Sequence, residues 1–210
     1  IGRITPDGSI SEFPTPDPDG TPLDITSLPN GEIWFTKMSS GTVGRIAFDG
    51  AITEYPTPTE LSYPYRIAAG PDGRAWFTEL CSGIGRVEED GTITEFGVAT
   101  TLVVVPSGIV TGPDGALWYS AAEGGKATIA RFTTDGRRDY FPLPEPYSAP
   151  GWILVGPDGN LWFAEWQGKA IGRMTPAWQL TEFPISSDAF DVTVGPDQNL
   201  WFTERFAASI

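Results

Sequence analysis

The chain has 210 residues, 40% apolar and 12% aromatic, which suffices for a sizeable core and excludes a disordered chain. Thirteen Lys and Arg face 27 Asp and Glu, a net charge of −14 that argues against nucleic acid or an anionic membrane as partner. There is no histidine, so mechanisms that need imidazole as base or metal ligand are out of reach, and the single Cys81 has no disulfide partner within the chain.

The chain opens at Ile1 rather than Met, without a signal-like segment, which points to a processed or excised chain and assigns no compartment. Its first string, Ile1-Gly2-Arg3-Ile4, returns as Val43-Gly44-Arg45-Ile46, Ile84-Gly85-Arg86-Val87, Ile129-Ala130-Arg131-Phe132 and Ile171-Gly172-Arg173-Met174. A second string recurs at Trp34-Phe35, Trp76-Phe77, Trp118-Tyr119, Trp162-Phe163 and Trp201-Phe202. Both advance by about 42 residues, and a period near 40 with one tryptophan per unit of short strands predicts an all-β propeller of five four-stranded blades.

In chain order, residues 1–14 read as two outer strands, and four complete blades follow at about 22–56, 64–97, 107–142 and 151–184. Residues from about 190 to 210 read as two inner strands, so that the fifth blade is divided between the ends. Pairing of these halves predicts a single closed domain without bare sheet edges, and hence a monomer. Asp-Gly-type turns fill the first slot of each blade, as at Asp72-Gly73, and the third, as at Asp90-Gly91. They make one face uniform, and the opposite face carries the variable loops where function is expected.

Three sets of residues map to that variable face. Glu79, Glu165 and Glu204 follow the Trp-aromatic strings, with Lys37 and Ala121 at the other two equivalents; converging carboxylates suit Mg²⁺ or Ca²⁺, although solvated or arginine-paired copies of a repeated motif are the plainer reading. Asp24 and Asp191 enter inner strands near the axis and are the better placed metal candidates. Tyr65, Trp152, Trp166 and Phe190, with Arg66 and Arg205 beside them, predict either a shallow aromatic cup for a small molecule or peptide or a plug of the channel. The five repeated tryptophans are expected between blades. The repeated arginines are expected to bridge to backbone or to a carboxylate in the next blade. Thr101 to Val105 forms an apolar interruption suited to a partner contact or to loop packing.

The run Gly156-Pro157-Asp158-Gly159-Asn160-Leu161-Trp162-Phe163-Ala164-Glu165, followed by Ile171-Gly172-Arg173-Met174-Thr175-Pro176 and Leu180-Thr181-Glu182-Phe183-Pro184, resembles the streptogramin lyase (virginiamycin B lyase) family. The resemblance spans all five units. It implies the propeller of a family that is typically seven-bladed and opens the ester ring of type B streptogramins by elimination, assisted by Mg²⁺. The family's histidines follow a proline at the start of inner strands; the matching positions here are Leu23, Tyr65, Ser107, Gly151 and Phe190. None exchanges protons near neutral pH as imidazole does, and tyrosine, with a pKa of about 10, would need a strong shift. No catalytic residue carries over. The expected function is therefore ligand or protein binding, or a scaffold, through the variable face. The alternatives are a divergent Mg²⁺-dependent lyase and a five-blade part of a longer one.

Overall fold

The computed structural model describes residues 1–81, 83–97, 105–123, 126–144 and 150–205; the Thr101–Val104 part of the apolar interruption lies outside them. Twenty strands and no helix occur among the described residues. Strands β1 (Gly2–Ile4) and β2 (Ile10–Glu12) form a two-stranded sheet. The first four-stranded meander is β3 (Pro22–Ser27), β4 (Ile33–Lys37), β5 (Thr42–Ile46) and β6 (Ile52–Pro56). The second is β7 (Pro64–Ala69), β8 (Ala75–Glu79), β9 (Gly83–Val87) and β10 (Ile93–Gly97). The third is β11 (Val105–Thr111), β12 (Leu117–Glu123), β13 (Lys126–Phe132) and β14 (Arg138–Pro142). The fourth is β15 (Pro150–Val155), β16 (Leu161–Glu165), β17 (Ala170–Met174) and β18 (Leu180–Pro184), and β19 (Asp188–Val194) with β20 (Leu200–Arg205) forms the last, two-stranded sheet. All neighbours are antiparallel, and the first strand of each four-stranded sheet packs beside the first strand of the next, as far as β19. The architecture is propeller-like.

The turns set this geometry. Gly73, at φ 76°, takes a conformation that costs a side chain strain, and its N–H donates to the Gly70 carbonyl at 3.0 Å. The preceding aspartate works three ways in such turns. Asp114 accepts from the Ala116 N–H (3.2 Å), the Trp118 indole (2.9 Å) and the Arg131 guanidinium (2.5 Å). Burial alone raises its pKa, but these bonds outweigh burial and hold the carboxyl below the usual range. Arg86 bridges to backbone of the next sheet, donating to the Thr134 carbonyl at 3.4 Å. For carboxylates, three of the repeated arginines turn to their own sheet rather than to the next: Arg45 meets Glu32 at 2.9 Å, Arg86 meets Glu88 at 2.6 Å and Arg131 meets Asp114. The cause is the hairpin register, which sets the tryptophan directly opposite the arginine (Trp76↔Arg86) with the turn carboxylate beyond both.

The glycine of the Ile-Gly-Arg string has a steric role. Gly44, Gly85 and Gly172 lie directly opposite Phe35, Phe77 and Phe163, whose rings fold over them and leave no room for a Cβ. Only the third sheet differs, pairing Ala130 with Tyr119. Gly85→Ala is expected to lower stability by about 1–3 kcal/mol through overpacking against the fully buried Phe77, measured by urea denaturation.

One expectation is corrected. Trp34, Trp76 and Trp118 are core residues, at 4% exposure or less, but Trp162 is only partly buried and Trp201 is 59% exposed, because no described strand covers β20 as the outer strands of a following sheet would. Among the described residues β1–β2 and β19–β20 are two-stranded sheets, with Ile4 and Ile10 exposed on the former.

Candidate functional site

Each inner strand carries a register shift where it enters its sheet: between Pro22 and Ile25, Pro64 and Ile67, Pro106 and Gly108, Pro150 and Ile153, and Ala189 and Asp191. Such bulges break the alternation of side chains and re-aim the residues they contain. Asp24, Tyr65, Arg66, Trp152 and Phe190 all lie within these irregular segments. The bulges are held from the second strand. The Asp24 N–H donates to the Thr36 hydroxyl (3.2 Å), which in turn donates to the Tyr65 carbonyl of the next sheet (2.9 Å). Arg66 N–H donates likewise to the Thr78 hydroxyl (3.0 Å), and Ser120 links the Gly108 N–H to the Gly151 carbonyl. The repeated hydroxyl thus fixes the bulge and, through Thr36 and Ser120, joins it to the next sheet.

The result is one cluster built from several sheets. The Arg66 guanidinium of the second sheet lies 3.6 Å from the ring centroid of Trp152 in the fourth, 4.7 Å from that of Tyr65 and 3.9 Å from Asp24 Oδ1 of the first. Trp152 packs on Phe190 at 5.4 Å, and Trp166 meets Phe190 edge-on at 6.5 Å. Arg66 and Trp152 bridge the axis between sheets that are not neighbours, so the two pack against each other rather than wall an open cup. Phe190 and Trp166, 41% and 37% exposed, form an aromatic ledge on top. A desolvated guanidinium–indole stack of this kind is rigid and presents charge beside an apolar face. Arg205 ends β20 opposite Asp188, and its side chain lies outside the described residues.

The acidic candidates stay apart. Asp24 accepts the N–H of Ile25 on Oδ1 and of Ile67 on Oδ2, both at 3.0 Å. Asp191 accepts the Val192 N–H at 2.7 Å, and Glu204 accepts the Ser186 hydroxyl at 3.2 Å. Glu79 and Glu165 are buried at the ends of β8 and β16. No three acidic, Cys or His side chains come together as a metal cage among the described residues, and Asp24 and Asp191 spend oxygens on backbone N–H groups. This donor set does not fit Mg²⁺, which needs several convergent oxygens.

Two features escaped sequence reasoning. Lys37, aligned with these glutamates, is fully buried, its Nζ 2.7 Å from both Glu54 Oε1 and the Asp17 carbonyl. Trp178 takes φ 63° in the fourth sheet's outer turn, where the other sheets place glycine, and stacks on Trp118 and Phe141 at 4.6 and 6.0 Å. The missing Asp-Gly at that turn was the available signal.

A radial stack of short sheets, with aromatic and charged residues gathered where the inner strands begin, defines a propeller-type protein. The model of the virginiamycin B lyase family matches residues 1–210, and the chain belongs to that family. It is similar to virginiamycin B lyase from Staphylococcus aureus, with 40% identity and a TM-score of 0.88 over 97% of this chain and 69% of that one. A catalytically inactive variant of that enzyme with quinupristin matches at 41% identity and a TM-score of 0.87, again over 97% and 69%. A structure described as a streptogramin B lyase matches at 35% identity and 0.89, over 97% and 68%. A gluconolactonase from Xanthomonas campestris, 19% identical with a TM-score of 0.66, shares the fold. No curated protein sequence matches. The chain spans about two thirds of the length of these relatives.

Proposed function

We propose that this chain is a ligand-binding member of the virginiamycin B lyase family, taking a small aromatic-bearing cyclic molecule on the ledge of Phe190 and Trp166 above Arg66 and Trp152, without histidine-dependent ring opening. The observation that carries this reading is the Arg66–Trp152 stack across the axis, which places a fixed cation and exposed aromatic faces together. The S. aureus relative with quinupristin supports the ligand class. Absence of histidine leaves Leu23, Tyr65, Ser107, Gly151 and Phe190 at the family's proton-transfer positions, and none is suited to that role near neutral pH. The five repeats belong to the same reading: four complete blades and two halves, whose outward edges on β1 and β20 are those that a shared blade would pair.

The test is incubation with a type B streptogramin, with and without Mg²⁺, followed by tryptophan fluorescence and mass spectrometry. Saturable quenching without ring-opened product is expected. Trp152→Ala is expected to weaken binding about three- to tenfold by removing the stacked face. Ring-opened product that disappears on chelation would establish the divergent-lyase reading instead.

A further inference from the structure

In every inner strand an apolar residue pairs with the aromatic residue of the second strand: Ile25, Ile67, Ile109, Ile153 and Val192. The residues just before them, Asp24, Arg66, Gly108, Trp152 and Asp191, therefore stand in one place of the repeat, yet share no chemistry. Gly108 belongs to the sheet between those of Arg66 and Trp152. It lies so close to the Gly151 carbonyl that a Cβ has no room, so this intervening strand sets no side chain between the two. Arg66 reaches Trp152 across it, 3.6 Å from guanidinium carbon to ring centroid.

Stacking covers the faces of a guanidinium plane, whereas its five N–H groups point outward along the edge. That edge is incompletely satisfied in Arg66. The side chain is 11% exposed, and its Nε is buried without an acceptor among the described residues. Asp24 offsets the charge but does not accept. Its Oδ1 stands 3.9 Å from Nη1, beyond hydrogen-bond distance, and its two oxygens already take the N–H groups of Ile25 and Ile67 at 3.0 Å. Asp191, the other acid in this place of the repeat, turns to backbone likewise, accepting the Val192 N–H at 2.7 Å. The repeated arginines are different, since Arg45, Arg86 and Arg131 each reach a carboxylate at 2.9 Å or less. A planar donor edge held rigid by a stacked indole matches the two oxygens of a carboxylate. A charged acceptor also recovers more of the missing hydrogen bonding than a neutral one.

We propose, resting on the ledge reading, that the molecule bound there is an aromatic acid: its carboxylate meets the N–H edge of Arg66 while its aromatic body lies on Phe190 and Trp166. Arg66 is then a specificity-determining residue, which selects the acid over the matching amide or amine.

3-Phenylpropionate, 3-phenylpropanamide and 3-phenylpropylammonium share an aryl body and differ in charge. Each is titrated into isotope-labelled protein while the Trp152 indole N–H and Arg66 Nε–H resonances are followed by NMR. The acid is expected to bind about three- to tenfold more tightly than the amide, and the ammonium least well. Arg66→Gln is expected to remove the advantage of the acid over the amide. Equal binding of acid and amide by the unaltered protein would overturn the carboxylate assignment and leave the ledge reading standing. So would an undiminished preference for the acid in Arg66→Gln, or no binding of the acid where a type B streptogramin still moves the Trp152 resonance. If neither the three probes nor the streptogramin moves that resonance, the ledge reading falls and the assignment with it. Should Arg66→Gln not fold, the unaltered protein decides: the Arg66 Nε–H resonance is expected to move with the acid and not with the amide, and the same shift with both overturns the assignment.

Discussion

Lys37→Met is expected to cost about 3–5 kcal/mol, one of the two largest effects of any single substitution in the described residues. The lysine side chain is fully buried and its Nζ satisfies Glu54 Oε1 and the Asp17 carbonyl at 2.7 Å, with Asp17 Oδ2 at 3.6 Å. Gly20 lies so close to the lysine stem that it has no room for a Cβ, so the segment between β2 and β3 is wrapped over the lysine. Methionine fills the volume but leaves the Glu54 carboxylate, 12% exposed, without a cation, and the Asp17 carbonyl with the Thr15 hydroxyl as its remaining donor. The cost lies in that stranded charge rather than in the lost attraction. Consequently Lys37→Met combined with Glu54→Leu is expected to recover most of the loss. Urea denaturation of the single and double variants measures both. A double variant as unstable as the single one would place the cost in packing.

Trp76→Ala is expected to be as damaging, at about 3–5 kcal/mol, whereas Trp201→Ala, the same residue of the same repeated string, is expected to cost under about 1 kcal/mol. Trp76 is fully buried. It donates to Asp72 at 2.9 Å, lies 5.1 Å below the Arg86 guanidinium, and packs between Phe96 and Phe132. Truncation opens a large cavity and releases Arg86 and Asp72 from their shared partner. Trp201 keeps the local part of this arrangement, donating to Asp197 at 3.2 Å, yet is 59% exposed. Comparing denaturation midpoints of the two variants separates what the motif contributes within its hairpin from what the neighbouring sheet contributes. Equal losses would mean that the hairpin alone carries the tryptophan's energy.

Several elements were legible before any coordinates. The hairpins around Asp72-Gly73 and Asp90-Gly91 follow from turn residues that tolerate positive φ, flanked by alternating apolar positions. The candidate surface was legible as a face, because strand direction sorts every inner-strand start to one side. Its geometry was not. Arg66 and Trp152 are 86 positions apart, and nothing local states that sheets two and four converge closely enough for one to stack on the other. A proline precedes four of the five bulges, at Pro22, Pro64, Pro106 and Pro150, but the residues they aim, Leu23-Asp24, Tyr65-Arg66 and Gly151-Trp152, have little in common. The aspartates near the axis read as metal ligands because their backbone partners, Ile25, Ile67 and Val192, become visible only once the bulged strands are placed.

The sequence by itself determined strands, turns, repeat length and family, since each depends on interactions within a few residues or one hairpin: side-chain alternation, left-handed glycines, and a tryptophan tied to its own turn aspartate. Tertiary structure alone decided which tryptophans are covered and that Arg66 of the second sheet meets Trp152 of the fourth. These depend on the angle and spacing between sheets, which are set by the combined packing of many side chains across each junction and are written in no single repeat.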